Sequence, residues 1–410
     1  MTQTRELGSP SRRRMLASTG GVVALAGLGG MNRATAAGAQ ATAAAPAAKP
    51  LPEYAKWKNA DALIVHSANT IETKRGAFGS SVITPSEHLF VRNNIAPPSL
   101  DIVKDPDAWT LEVAGVARPR SFTVAELKTM GLAALPMVLQ CSGNGRAWFP
   151  SKPSGTQWTV GAAGCVIFTG VPVKAVLEAV GGMSEGMVYM TSTGGEDMPA
   201  GLDPKDVMVE RSVPVSALED AILAWELNGQ PLSLAHGGPL RIVVPGYTGV
   251  NSVKYIKRLA FTKEQSPAKI QQTGYRLAPV GAKGESTQAS IWEMPPKSWI
   301  NTPSDPAQPV KAGRVVISGV AMGGMTAAKT IEVSINGGKD WQPAQFVGPD
   351  LGRYAWREFA LAVQLEPGTY QLASRSTNAA GESQPEERME NNRGYLNNSW
   401  RDHMVTIKVA

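Results

Sequence analysis

Four hundred and ten residues, 43% hydrophobic and 18% charged, suffice for two domains of ordinary size with real cores, which excludes a disordered chain, a collagen and a disulfide-knotted miniprotein. Forty Lys and Arg against 34 Asp and Glu give +6, but five arginines against Glu6 within residues 1–36 account for +4 of it, too little elsewhere for a nucleic-acid partner. Two cysteines, Cys141 and Cys165, exclude a disulfide framework, a four-cysteine zinc site and a four-cysteine iron-sulfur cluster, and no Cys-x-x-Cys-His is present to attach a haem.

Ser11-Arg12-Arg13-Arg14-Met15-Leu16, a weakly apolar run to Met31 and the small residues Ala34-Thr35-Ala36 predict a twin-arginine export signal over 1–36 and a periplasmic protein exported in folded form. The alternative, a transmembrane helix, suffers from five glycines that dilute the run, so no membrane span is expected. An Ala-rich disordered segment is predicted over 37–50.

From 51 to 278 strands mix with short helices. Trp109–Val113 alternates like a strand, Thr123-Val124-Ala125-Glu126 is a capping box that opens a short helix, and Pro136–Gln140 is an apolar strand ending at Cys141. Further strands are predicted at Met187–Met190, Ala221–Trp225, Leu240–Val244 and Ser252–Phe261, with Asn228-Gly229 as a turn. Residues 279–309, rich in Pro, Ser and Lys and without periodicity, read as a linker. Beyond it, Val315–Ile317, Ile331–Ile335, Trp356–Val363, Thr369–Ala373 and Val405–Val409 are close-spaced strands, two of them joined by a hairpin at Asn336-Gly337-Gly338. This predicts an immunoglobulin-like β-sandwich over 310–410, and an α+β fold for the chain as a whole.

Cys165, in Gly164-Cys165-Val166-Ile167-Phe168, suits a buried small hydrophobe, while a Cys141–Cys165 disulfide is the alternative in an oxidising compartment. Cys141 sits instead in a glycine-rich loop with an arginine five residues on. That loop, Leu139-Gln140-Cys141-Ser142-Gly143-Asn144-Gly145-Arg146, resembles the molybdenum-ligating loop of the sulfite oxidase family, usually Gln-Cys-Ala-Gly-Asn-Arg-Arg. Upstream, His88 to Asn94 is similar to the family's Phe-x-x-Arg-Asn-His segment. Downstream, Leu227–Leu232, His236–Arg241, Val244–Gly246 and Ser252–Lys254 are similar to its pterin-binding half, and Ala355-Trp356-Arg357 and Asn398-Ser399-Trp400 to its dimerisation domain.

The resemblance, from about Phe90 to the end, implies a mixed α+β molybdopterin-binding domain followed by a dimerisation domain. It further implies molybdenum-molybdopterin with Cys141 as the protein ligand to the metal. A thiolate is a soft donor suited to a two-electron metal whose other sulfurs come from the pterin. Phe90, Val91, Arg92, Asn93 and Asn94 would line the cofactor from one side, and His236, Arg241, Ser252, Val253 and Lys254 from the other, with His236, Arg241 and Lys254 on the phosphate. The implied anion pocket holds Arg92, Arg146, Arg357 and Trp158, with Tyr275 as an active-site tyrosine. The implied activity is periplasmic oxidation of sulfite to sulfate, with electrons leaving singly for an external cytochrome c, no haem in the chain and a homodimer through the C-terminal domain. Asn94 in place of a histidine and Gly145 in place of an arginine both subtract positive charge. They make a larger sulfur substrate thinkable, and with it a sulfane dehydrogenase subunit of a sulfur-oxidising complex. A nitrate reductase domain is disfavoured for want of haem or flavin modules, and a non-catalytic periplasmic binding module is the reading from another class.

Overall fold

The computed structural model describes residues 49–410. The export signal and all but the last two residues of the Ala-rich segment lie outside the described residues. No helix among the described residues is long and apolar enough to cross a membrane.

Three sheets make the first part of the molecule. Leu63–Ser67, Thr70–Thr73 and Val91–Arg92 form a small antiparallel sheet. A second sheet runs Gln230–Pro231, Ile222–Leu227, Ala163–Pro172, Ala133–Gln140, with Arg241–Val243 also paired to Ile222–Leu227. A third runs Arg120–Thr123, Thr110–Ala114, Ile256–Thr262, Tyr189–Gly194, Glu210–Pro214, parallel only where Ile256–Thr262 meets Thr110–Ala114. The capping box forms: the Thr123 hydroxyl accepts from the Glu126 amide while the Glu126 carboxylate accepts from the Thr123 amide, opening helix Val124–Leu127. That satisfies two donors the helix end would otherwise leave bare.

The second part is a sandwich of two four-stranded sheets. One holds Lys297–Thr302, Gly313–Met322, Arg357–Leu365 and Gln345–Val347; the other holds Gln342–Pro343, Ala328–Ser334, Gly368–Asn378 and Val405–Val409. The turn after Ser334 joins Ala328–Ser334 to the short Gln342–Pro343, and the chain then crosses to the opposite sheet. Ile317, Ile331, Val333, Phe359, Leu372 and Ile407 fill the space between the sheets.

The stretch 279–309, expected as a linker, is not free chain. Lys297–Thr302 within it is a strand buried on both faces: Trp299 packs toward Phe78 and Trp356, while Ile300 joins the sandwich core. A strand covered on both sides shows no alternation, and the flanking Pro295, Pro296 and Pro303 mask it further. The two parts share an apolar cluster that includes Val138, Cys165, Trp299, Val320 and Trp356, and the Trp356 indole donates to the Val82 carbonyl at 2.7 Å. Cys165 is fully buried there and burial pushes its thiol up to about 12; neither cysteine is in a disulfide.

Candidate active site

Strand Ala133–Gln140 delivers Cys141 into a loop held by several hydrogen bonds. The Cys141 amide donates to the Ala162 carbonyl (2.9 Å), the Asn144 side chain bridges the Gln140 side chain (3.0 Å) and the Ala162 amide (3.2 Å), and the Gly145 amide donates to the Thr159 carbonyl (2.8 Å). The partner segment is itself fixed by a buried carboxylate: Glu72 accepts from the amides of Thr159 (2.8 Å) and Gly161 (3.1 Å) and faces His66 at 2.7 Å. Such a loop presents its thiol in one place, as a metal ligand requires.

Cys141 opens onto a pocket with about 660 Å³ of open space. Strand alternation explains how Val91–Arg92 meets it: Phe90 and Arg92 line the pocket, while Val91 turns the other way into a cluster with Leu63 and Ile71. Val91 is therefore a packing residue and does not reach the cofactor side. Asn93, Asn94, His236, Arg241, Ser252, Val253, Lys254 and Tyr275 all line the same pocket.

One wall is cationic and buried. Arg241 donates to the carbonyls of His236 (2.8 Å) and Ser252 (2.7 Å), and Lys254 donates to the Asn93 side chain (2.7 Å) and the Ala235 carbonyl (2.6 Å). His236 meets Lys58 at 3.2 Å. Burial first, then mutual repulsion, holds His236 and Lys254 well below their ordinary values, and burial pulls Lys58 down to about 7. Against these stands Glu196, pushed up to about 7 by burial and drawn back only in part by its own backbone amide and then by Lys254. A cluster so rich in buried cations calls for an anion.

The pocket also holds buried polar atoms with no partner in the protein: Ser142 Oγ, Arg241 Nε and Glu196 Oε2. An unmade hydrogen bond on a buried group costs about 1–3 kcal/mol, so three around one pocket mark a site shaped for a polar occupant. A phosphorylated pterin with ring donors and acceptors fits this set, and Cys141 would supply a soft ligand to its metal. No group of three His, Cys, Asp or Glu that could hold a bare metal ion occurs among the described residues.

Three residues expected in the anion pocket, Trp158, Arg357 and Arg146, do not line it. Trp158 is 1% exposed and packs edge-on against Phe90 and His66, one layer behind the pocket wall. Arg357 opens strand Arg357–Leu365, pairs with Asp350 at 2.8 Å and lies over the Phe346 ring, away from the pocket. Its position in a strand register, rather than its proximity in sequence to a motif, decides where it points. Arg146 sits against the Cys141 loop, but its Nε and Nη1 are engaged by the carbonyls of Arg393 (2.7 Å) and Thr156 (2.9 Å). Arg92 donates to Asn94 Oδ1, which the Tyr275 hydroxyl also approaches at 3.5 Å.

Several residues carried no flag in the sequence. Lys58 lies in an unremarkable bend after the short helix Glu53–Ala55; Glu196 follows Gly194-Gly195, where a Cβ on Gly194 would fall 2.1 Å from Glu196 Oε2, so the glycine pair was the available signal. Lys297, buried in the strand hidden by prolines, reaches the Asn144 carbonyl at 3.2 Å from behind the loop.

Residues 98–270 match the oxidoreductase molybdopterin binding domain family, and residues 288–410 match the Mo-co oxidoreductase dimerisation domain family. The chain is 32% identical to the NAD(P)H nitrate reductase of Hordeum vulgare over 78% of this chain, spanning only 38% of that protein. It is 30% identical to the sulfite oxidase of Gallus gallus, covering 78% of this chain and 72% of that one. Among solved structures it is similar to the sulfane dehydrogenase SoxCD from Paracoccus pantotrophus, with a TM-score of 0.68 and 25% identity over 88% of this chain and 91% of that one.

Proposed function

The chain belongs to the sulfite oxidase family of molybdopterin oxidoreductases, and within that family we propose that it oxidises sulfite to sulfate. The observation that carries this reading is the meeting of Cys141, Arg92 and Tyr275 in one pocket with the cationic cradle of His236, Arg241 and Lys254. When bound, the molybdenum-pterin group supplies the two-electron chemistry by which sulfite and water give sulfate, two protons and two electrons. The chain's own part is electrostatic and positional. Cys141 donates its thiolate, and the cradle with Lys58 neutralises a phosphate. Arg92, steadied by Asn94, offers a guanidinium fork to the oxyanion, with the Tyr275 hydroxyl beside it. The reading includes periplasmic export through the Arg12-Arg13 segment, a cytochrome c as acceptor and a homodimer through the second domain, in keeping with the dimerisation family matched there.

A second reading, oxidation of sulfane sulfur, is favoured by a specific observation. Arg146 has two nitrogens committed to backbone carbonyls and Arg357 is absent from the pocket, so fewer guanidinium groups face a free dianion than the sequence implied. The likeness to SoxCD points the same way. A steady-state assay with sulfite and cytochrome c, run beside a persulfidated carrier protein and nitrate, separates these readings. Sulfite-dependent cytochrome reduction is the expected result; turnover of the persulfide or of nitrate without sulfite turnover would replace it.

A further inference from the structure

The segment Asn391–Asn397 leaves the sandwich and crosses to the first part of the molecule, where it touches both sides of the pocket. On one side the Leu396 amide donates to the Ser142 carbonyl (2.9 Å), the Asn397 side chain to the Gly145 carbonyl (2.9 Å), and Arg146 Nε to the Arg393 carbonyl (2.7 Å). On the other, the Asn392 amide donates to the Ala278 carbonyl (2.9 Å) and the Tyr395 hydroxyl to the Gly274 carbonyl (3.3 Å). Among the described residues no hydrogen bond joins the Ser142–Arg146 loop to Gly274–Ala278 directly; the strap alone spans them.

Tyr395 is its centre. The Asn391 side chain clasps its amide and carbonyl, each at 2.9 Å. Its ring stacks on Tyr275 at 5.2 Å and 20°, with the Arg211 guanidinium 5.4 Å from the Tyr275 ring and the Arg146 guanidinium 5.4 Å from the Tyr395 ring. Arg211 cannot yield, because Asn251, Ile270 and Ser290 hold it in a fully buried position. Gly145 explains how the strap comes so close: its φ is +95°, and a Cβ there would fall 3.0 Å from the Asn397 Cβ. The loop position that carries arginine in the family's usual motif is here the seat of the strap.

We infer that Tyr395 is a positioning residue that sets the substrate side of the pocket by holding Tyr275 and Arg146 in one stack, so that the second domain tunes oxyanion affinity. The inference rests on the sulfur-oxyanion reading above. Aromatic stacking and a guanidinium over a ring each contribute enough that losing both weakens anion binding by about tenfold. Tyr395→Met fills comparable volume without an aromatic face; Tyr395→Phe keeps the face and drops the hydroxyl. Calorimetric titration of the cofactor-loaded protein with sulfate should show about tenfold weaker binding for Tyr395→Met and an affinity within about twofold of wild type for Tyr395→Phe. The Michaelis constant for sulfite should rise in the Met variant more than kcat falls, at unchanged molybdenum content. Should the Met variant fold poorly, Asn397→Ala, which removes its bonds to Gly145, Asp402 and Ser399 and so loosens the strap that holds Tyr395 in the stack, should weaken sulfate by about threefold. Wild-type sulfate affinity in Tyr395→Met or Asn397→Ala, or an equal loss in Tyr395→Phe, would overturn the inference. A wild-type protein that binds no sulfate would overturn the oxyanion reading itself.

Discussion

The two walls of the pocket are built by different rules. The cradle wall comes from one run of chain, His236 to Lys254, nearly all buried and bonded to its own backbone. The substrate wall gathers Arg92, Asn94 and Tyr275 from distant parts of the sequence, and behind it Tyr395 of the second domain stacks on Tyr275 and lies under the Arg146 guanidinium. A buried cationic cradle suits an anion such as the proposed phosphate, whatever the enzyme acts on. The substrate wall can be rebuilt, as Asn94 and Gly145 show, without disturbing the cradle.

That contrast orders the expected effects. Cys141→Ser exchanges a soft thiolate for a hard hydroxyl at the meeting point of the walls, so turnover should fall to background while pterin content persists, both read on the purified variant. Arg241→Met strikes the cradle: removing one partner of a buried, hydrogen-bonded charge pair costs about 2–5 kcal/mol, so pterin should be lost on gel filtration. Arg146→Gln strikes behind the substrate wall, removing the charge-assisted bonds to the Arg393 and Thr156 carbonyls and the guanidinium over Tyr395. With the wall loosened, the Michaelis constant should rise about tenfold, with the optical spectrum of the metal little changed.

Much of the cradle wall and the Cys141 loop beside it was legible because each is local: the Gln140-Cys141 loop, the His236–Arg241 run and Ser252–Lys254 each lie within a few residues. The capping box at Thr123 and the strand leading to Cys141 were legible for the same reason. What escaped was set by tertiary crossing. Lys297–Thr302 reads as linker because both its faces are buried, and Arg357 is turned away by its strand register. Tyr395 acquires its neighbours only when the sandwich packs against the first domain. Lys58 escaped because nothing in its own turn announces that it will meet His236.

Two smaller effects sharpen the comparison. Lys58 titrates near 7 in the folded, cofactor-free protein and near 10.5 when unfolded, so between those values only the unfolded chain holds the proton. Stability should therefore rise as pH climbs from 7 to 10.5 and fall as pH is lowered back through that window. Lys58→Met should flatten the profile by on the order of 3 kcal/mol, measured by urea unfolding across pH. Bound pterin phosphate should also flatten it by favouring the charged lysine. Gly145→Ala places a Cβ at φ +95° against Asn397 and should cost about 1–2 kcal/mol, visible as a lower thermal midpoint.

The measurement that bears most directly on the whole account is the molybdenum, pterin and iron content of the purified protein. One molybdenum and one pterin per chain, with no stoichiometric iron, is the expected result. A folded protein recovered from a molybdenum-replete host without molybdenum or pterin would contradict it.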